Sequence, residues 1–151
     1  MSLIRYCIDK LFSSITLFGT PFVYGLFLLY MLRINLSFAL TFALLFIIGE
    51  MVCTLVKLAY RKDRPIPRKR RMALHEIYDA GSFPSIHTER ITLLVIALNV
   101  LHAGDAVFFA CSLAVWGLVT YSRMYLKEHF FIDVIGGAVI GGMLGYGYFL
   151  L

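Results

Sequence analysis

Long apolar segments dominate this chain of 151 residues and limit what it can fold into. Hydrophobic residues make up 60% of it and the mean hydropathy is +0.83, which is too apolar for an ordinary soluble domain. Segments of about 20 apolar residues are long enough to cross a bilayer as helices. The sequence therefore predicts an all-α integral membrane protein in which residues 1–151 form a single domain.

Turns and polar segments divide the chain into about five predicted spans in one bundle. Arg33-Ile34-Asn35 and Ala103-Gly104-Asp105 form short connections. Arg64-Pro65-Ile66-Pro67 should end the second span, because a residue before proline avoids the α-helical region. Residues 1–10 are of mixed composition and predict a short interfacial turn. The predicted spans cover residues 11–32, 36–60, 84–102, 106–122 and 130–151.

Alternate connections of such a bundle lie on opposite sides of the membrane. The N-terminus, the loop 61–83 and the connection 123–129 share one side, which we call side A. The turns 33–35 and 103–105 lie on the other, side B. Apart from candidate site cations, the basic residues near span ends are Arg33 on side B and, on side A, Arg5, Lys10, Arg61, Lys62, Arg68, Lys69, Arg70, Arg71 and Lys127. Because Lys and Arg beside spans are retained in the cytoplasm, we expect side A to be cytoplasmic.

The formal net charge of +5 comes largely from the basic cluster between Arg61 and Arg71. A basic cluster beside apolar spans indicates membrane lipids, rather than nucleic acid, as the partner. Within it, Arg68-Lys69-Arg70-Arg71 is interpreted as a topology determinant, with attraction of anionic lipid substrates as the alternative. The nearby His75, Glu76 and Asp79 predict a solvated surface or lid.

Cations and a helix N-terminus that could bind a phosphate group accumulate at side A. Lys57, Arg64 and Arg123 can hold phosphate oxygens, the two arginines in bidentate fashion. Pro84-Ser85-Ile86-His87 opens a predicted helix, and the free backbone N–H groups of a helix N-terminus attract anions. These groups indicate an anion site at one membrane face.

Two histidines and an aspartate fall at the same face. His129 and Asp133 are four residues apart and would share a face if both lay on a helix. An aspartate that reaches an imidazole fixes its tautomer and raises its basicity. With His87 as a second histidine, the roles of nucleophile and general acid at a phosphate or acyl centre can be divided.

Three motifs occur in order at these helix ends: Lys57-x6-Arg64-Pro65, Pro84-Ser85-Ile86-His87 and Ser122-Arg123-x5-His129-x3-Asp133. Together they resemble the three ordered motifs of the type 2 phosphatidic acid phosphatase (PAP2) superfamily. That superfamily includes membrane lipid phosphatases and vanadium haloperoxidases. The haloperoxidases are large and soluble, and this chain is neither, so the resemblance favours a small integral-membrane lipid phosphatase.

The resemblance implies a role for each matching residue. His129 would attack phosphorus and form a phosphohistidine, Asp133 would orient it, and His87 would protonate the leaving alkoxide. No metal or other cofactor is implied, because cations would stabilise the charge that develops in the transition state. The residues implied to bind the substrate phosphate are Lys57, Arg64, Ser85, Ile86 and Arg123.

The implied substrate is a lipid phosphate monoester or diphosphate, of the phosphatidate, phosphatidylglycerol-phosphate or polyprenyl type. The alternative is a non-hydrolytic lipid-phosphate binding or transport protein with an inactivated site. Its support is Ile86, which stands where the family usually has glycine, because a β-branched residue does not readily take positive φ. Either the phosphate loop has an ordinary helical conformation here, or the site is impaired. Membrane members also usually have six spans.

Three further features predict buried structure rather than chemistry. Gly137, Gly141 and Gly145 form overlapping G-x-x-x-G pairs, which predict either a homodimer seam or helix packing within one bundle. Glu50 lies mid-span, where an acid needs a partner; it could tune Lys57 or pair with a cation such as Arg90. The cysteines, which lack any metal-site spacing, are predicted to be reduced and buried: Cys7, Cys53 and Cys111.

Overall fold

A computed structural model describes residues 3–66 and 80–150, and in those residues the chain is helical without strands. Short 3₁₀ turns cover Thr16–Gly19 and Gly147–Phe149. The all-α prediction is confirmed, whereas the basic run 68–71 and the loop residues His75, Glu76 and Asp79 lie outside the described residues. The α-helices are α1 (Leu3–Ile15), α2 (Pro21–Ile34), α3 (Leu36–Tyr60), α4 (Ile86–Leu101), α5 (Ala106–Tyr125) and α6 (Phe131–Tyr146).

The N-terminal segment differs from the prediction, because it forms a helix where a turn was expected. Helix α1 docks on the end of α5, with the ring centroids of Phe12 and Tyr125 4.4 Å apart. The Tyr125 hydroxyl also donates a hydrogen bond of 2.8 Å to Asp9. Aromatic packing and the hydrogen bond between Tyr125 and Asp9 therefore attach the N-terminal helix to the bundle.

The first predicted span, residues 11–32, is broken in the structure. Thr20 is extended, with φ −89° and ψ 146°, as expected of a residue before proline. Pro21 then starts α2 at a position where its missing N–H costs no hydrogen bond. As a result, Leu3–Gly19 and Pro21–Ile34 meet at a bend of 50°.

Three helical segments of the described chain are long and apolar enough to cross a membrane: Leu36–Tyr60, Ala106–Tyr125 and Phe131–Phe149. The bent N-terminal pair would be a fourth if it counts as one span. Helix α4, predicted as a full span over 84–102, has only 16 residues. The count of five spans is therefore not confirmed.

The outer face of α3 shows how the bundle meets the membrane. Leu40, Leu44, Ile47, Met51 and Leu55 recur at helical spacing, and each is more than half exposed. An apolar stripe of this kind is stable against lipid tails but not against water. The chain is thus a membrane protein with its apolar side chains directed outward as well as inward.

Helix α4 lies at the centre of the bundle, against α3, α5 and α6. Helix α6 approaches it closely: a Cβ on Gly137 would lie 2.3 Å from the Ser85 carbonyl oxygen, and one on Gly141 would lie 2.4 Å from that of Glu89. Real side chains do not fit at such distances, so small residues are required. The glycine stripe thus packs against α4 within the bundle, while a homodimer stays a prediction.

Glu50 pairs with Arg90, one of the two partners considered for it. The Arg90 Nε and Nη2 atoms donate to the two carboxylate oxygens of Glu50 at 2.5 and 2.7 Å. This bidentate ion pair connects α3 to α4. Both charges can be held away from water because each has a geometrically matched partner.

The prediction that the cysteines are buried is correct for Cys53 only. Cys53 is buried, whereas Cys7 and Cys111 are exposed on the outside of the described structure. In a membrane protein a thiol behaves as a small apolar group that can face lipid, so burial inside the bundle is not required. All three cysteines are free thiols.

Candidate active site

Four helix ends meet at one end of the bundle because consecutive helices run in opposite directions. They are the C-terminal ends of α3 and α5 and the N-terminal ends of α4 and α6. A cavity of about 510 Å³ lies between them. Its walls include six of the eight predicted site residues, namely Lys57, Arg64, Ile86, His87, Arg123 and His129, together with Thr16, Pro21, Arg90 and Glu128.

His129 reaches the cavity from the connection before α6, not from the helix itself. The sequence suggested a shared helical face with Asp133, but α6 begins at Phe131 and Phe130 is its extended N-cap. The backbone N–H of His129 donates to the Arg123 carbonyl oxygen at 3.2 Å, which fixes the connection against the end of α5. A capping geometry, rather than a turn of helix, brings the two residues together.

The imidazole of His129 and the carboxylate of Asp133 face each other across 3.8 Å, measured from Nδ1 to Oδ2. That separation exceeds a hydrogen bond, and Nδ1 has no other hydrogen-bond partner in the described part of the chain. Catalytic contacts are often long in a ligand-free site and shorten when substrate binds. A small rotation of the buried ring would complete the bond.

Asp133 is also the centre of a buried hydrogen-bond network. Its carboxylate accepts hydrogen bonds from Lys62 Nζ at 2.6 Å and from the Phe130 backbone N–H at 2.8 Å. The Ser82 hydroxyl donates to the same group. Three donors around one carboxylate keep it ionised and fixed in position.

His129 is held in its neutral form. The pKa of His129 is lowered to about 4, with burial as the largest cause. The Asp133 carboxylate acts in the opposite direction, and the positive charge of Arg64 adds to the lowering. Near neutral pH the imidazole therefore has a lone pair available for attack. This is the state that a nucleophilic histidine requires.

Two of the predicted phosphate ligands come from the end of α3 and the segment after it. Lys57 lies in the last turn of α3, and its Nζ donates to the Gly81 carbonyl oxygen at 2.6 Å. Arg64 forms an ion pair with Glu128. Arg61, in the left-handed conformation, ends α3 and turns the chain toward the cavity.

The N-terminus of α4 presents Ile86 and His87 to the cavity, but not the side chain of Ser85. The Ser85 N–H donates to the Asp133 carbonyl oxygen at 2.9 Å, and its hydroxyl accepts from Thr88 at 3.1 Å. Ser85 thus connects α4 to α6 from a fully buried position. Its proposed contact with phosphate stays a prediction.

Ile86 has an ordinary helical backbone. It is the first residue of α4, and among the described non-glycine residues positive φ occurs only at Arg61 and Lys127. Of the two possibilities left by the sequence, the structure has the helical one. The Ile86 N–H therefore points along the helix axis, where an anion can accept from it.

We predict that Ile86→Gly retains phosphate-release activity within about threefold, because a helical backbone needs no glycine at this position. Both Ile86→Gly and the control Ile86→Ala remove a buried side chain and should lower thermal stability. The rates of the two variants should be measured on the same lipid phosphate. Their comparison separates the effect of losing the side chain, which both share, from the effect of a freer backbone, which only glycine has. A large gain in rate for glycine alone would show that isoleucine impairs the site.

Sequence reasoning missed several residues that the structure brings to the site. Glu128 directly precedes His129, so its position was a usable signal. Lys62 was assigned only to topology, although it reaches Asp133. Thr16 and Pro21 lie far upstream of the first motif, and nothing in their local sequence indicates a place at this cavity.

The donor set of the cavity does not suit a metal ion. Within residues 3–66 and 80–150, no three His, Cys, Asp or Glu side chains lie close enough to hold one. The wall instead has four basic side chains, Lys57, Arg64, Arg90 and Arg123, which repel a metal cation and attract an anion. The arrangement can bind a phosphate group and place it against His129.

Comparisons with known proteins identify the fold and the family of the chain. The structure is similar to the crystal structure of LpxE from Aquifex aeolicus, with a TM-score of 0.79 and 21% sequence identity over 96% of this chain and 87% of that one. Comparison with curated protein sequences gave no match. The family model for the PAP2 superfamily matches residues 18–151, which include all three motifs and the whole cavity apart from Thr16. The chain therefore belongs to the PAP2 superfamily.

Proposed function

We propose that the chain is a membrane-embedded phosphatase that hydrolyses a lipid phosphate through a phosphohistidine intermediate. One observation carries the proposal: side chains from three separate segments, among them Arg64, His87 and His129, line a single cavity. Membership of the PAP2 superfamily supports a phosphatase. A screen of phosphate release from a panel of lipid phosphates and diphosphates, using purified protein in detergent, tests it.

In the proposed first step, a nitrogen of the neutral His129 imidazole attacks phosphorus. The bond to the leaving alkoxide breaks as the nitrogen–phosphorus bond forms, and His87 gives its proton to that oxygen. Asp133 stabilises the imidazolium charge that develops on His129. Lys57, Arg64 and Arg123 compensate the charge on the phosphoryl oxygens in the transition state.

In the second step, water attacks the phosphohistidine. His87, now neutral, takes a proton from the water as the new phosphorus–oxygen bond forms and the bond to His129 breaks. Phosphate leaves, and both histidines return to their starting states. The same residue thus acts as general acid and then as general base, as microscopic reversibility requires.

An apolar groove, some of whose wall residues neighbour cavity residues along the chain, supports a lipid as the substrate. The groove has a volume of about 690 Å³, and its walls include Phe18, Phe27, Ile91, Leu94 and Val115. Ile91 follows the cavity residue Arg90, and Phe18 belongs to the same turn as Thr16. A hydrocarbon tail in the groove would leave its phosphate at the cations. Phosphatidate, phosphatidylglycerol-phosphate and polyprenyl phosphates or diphosphates all have this form.

The non-hydrolytic alternative has lost its supporting observation. It depended on Ile86 distorting the phosphate loop, and Ile86 is an ordinary first residue of α4. A hydrolytic site is therefore the better supported of the two functions. Phosphate release by the purified protein distinguishes them directly.

Hydrolysis should continue in excess chelator without added divalent metal, because basic side chains supply the positive charge at the cavity. Orthovanadate should inhibit, since a five-coordinate vanadate resembles the transition state and such analogues bind at least about 10²-fold more tightly than substrates. Both effects are measured as rates of phosphate release. Loss of activity in chelator with recovery on adding Mg²⁺ would contradict the proposed mechanism.

We propose that the active site faces the cytoplasm, although membrane members of the family usually place it outside. The support is the excess of Lys and Arg that the sequence has on side A. Of these residues, Arg61, Lys62 and Lys127 lie at the helix ends that surround the cavity. Such a site would act on lipid phosphates of the inner leaflet.

Cysteine labelling tests this orientation on a protein in which the exposed Cys7 and Cys111 are replaced by alanine. Lys127→Cys and Ala103→Cys place exposed thiols on the two connections that flank α5. In intact cells an impermeant thiol reagent should label position 103 and not position 127, whereas lysed cells should show both. The reverse pattern would refute the orientation without affecting the chemistry.

A further inference from the structure

The 3₁₀ turn Thr16–Gly19 and the proline after it lie at the cavity, although none of the three sequence motifs includes them. Thr16 and Pro21 are part of the cavity wall, beside His87 and Arg123. The turn is where the N-terminal helices bend by 50°. The turn is therefore in a position to influence where His87 and Arg123 lie.

Two arginines of the cavity hold the turn in place. Arg90 Nη1 donates to the Gly19 carbonyl oxygen at 2.8 Å, while the rest of its guanidinium is fixed by the bidentate pair with Glu50. Arg123 Nη1 donates to the Thr16 hydroxyl at 3.3 Å. Contacts from α4 and α5 thus position both ends of a short turn that has little regular structure of its own.

Gly19 packs directly against the imidazole of His87. A Cβ added to Gly19 would lie 2.1 Å from His87 Cδ2, 2.7 Å from Cγ and 2.9 Å from Cβ. Even alanine therefore cannot be placed there unless the ring or the turn moves. Gly19 itself is buried, so this contact is not at a free surface.

Packing is what orients the His87 ring. In the described part of the chain, the ring makes no hydrogen bond, in contrast to Asp133 with its three donors. A histidine that must deliver a proton to one oxygen of a bound substrate needs a defined ring orientation. The backbone of Gly19 provides a flat surface against which the ring can be fixed.

We propose that the Thr16–Gly19 turn is a positioning element of the active site: Gly19 fixes the His87 imidazole, and the Glu50–Arg90 ion pair holds Gly19 in place. The inference rests on the proposed phosphatase function. It assigns a role to residues outside the family motifs, and it gives the ion pair a purpose beyond connecting α3 to α4. Displacing a catalytic group by about 1 Å can cost about 10² in rate, so the expected effect is large.

The test compares Gly19→Ala with Gly25→Ala, a matched change farther along α2. A Cβ at Gly25 has no neighbouring atom within 4 Å, so this control should keep wild-type activity and thermal stability. Each protein is assayed on a lipid phosphate, whose alkoxide must be protonated as it leaves. Each is also assayed on 4-nitrophenyl phosphate, whose phenolate leaves without a general acid. Both assays measure release of the leaving group in a single turnover, because the second step uses His87 for either substrate.

In a single turnover, Gly19→Ala should slow release of the lipid alcohol by about 10²-fold, while release of 4-nitrophenolate slows by less than about tenfold. A variant that was merely less stable would lose both activities alike. If Gly19→Ala does not fold, Glu50→Gln serves the same comparison, because it weakens the pair that holds the turn. Glu50→Gln should again slow the reaction of the lipid phosphate more than that of 4-nitrophenyl phosphate, by a smaller factor than Gly19→Ala.

Equal losses on the two substrates would overturn the positioning role, as would wild-type rates for Gly19→Ala on the lipid phosphate. These results leave the proposed function in place, because it is judged by turnover of the wild-type protein. No turnover of either substrate by the wild type would overturn the proposed function and this proposal with it.

Discussion

Replacing His129 by alanine should abolish turnover, with a loss of at least about 10⁴-fold in phosphate release. The imidazole is the proposed nucleophile, and no other described side chain both lines the cavity and has Asp133 beside it. Within residues 3–66 and 80–150 its ring makes no hydrogen bond that would be lost, so the thermal unfolding midpoint should change little.

The matched control is Lys127→Asn, in the same connection. Lys127 is exposed and has positive φ, a conformation that asparagine adopts readily. This variant should release phosphate at the wild-type rate. Full activity of His129→Ala would remove His129 as the nucleophile and, with it, the proposed mechanism.

Asp133→Asn should produce the second largest effect, a loss of about 10³- to 10⁴-fold in kcat. Asparagine has nearly the same shape but cannot compensate the imidazolium charge that develops on His129. It also presents an N–H₂ group to a network built from donors, so stability should fall by about 1–3 kcal/mol. Rates and thermal unfolding should be measured on the same preparations.

Ser82→Ala separates the contribution of Asp133 to stability from its contribution to the rate. It removes one donor to the Asp133 carboxylate and leaves the carboxylate itself. Stability should fall while kcat stays within about tenfold of the wild type. If Ser82→Ala and Asp133→Asn lose rate equally, the role of Asp133 is structural rather than catalytic.

The sequence was most informative about reactive side chains that lie at predicted helix ends. Lys57, His87 and His129 were each predicted to lie at a helix end on one side of the membrane, and the structure places all three around one cavity. Helix ends are visible in sequence because proline, polar residues and apolar runs mark them. Antiparallel connection of neighbouring helices then brings alternate ends together.

The sequence was least informative about contacts between distant segments. The approach of Thr16 and Gly19 to the cavity depends on the bend at Pro21 and on Arg90, and neither leaves a pattern near residues 16–19. The capping geometry that brings His129 and Asp133 together was also missed, because Phe130 is not a residue that usually marks a helix start. Tertiary packing decided both features.

The central claim is that His129 carries the phosphoryl group between substrate and water. Purified protein should be mixed with a lipid phosphate labelled in its phosphate, quenched in alkali within milliseconds, digested and analysed by mass spectrometry. Phosphohistidine survives alkali and is lost in acid, so label that shows this stability should appear on the peptide containing His129 and be absent from His129→Ala. Rapid phosphate release by wild-type protein with no label on that peptide, or with label on His87, would contradict the account.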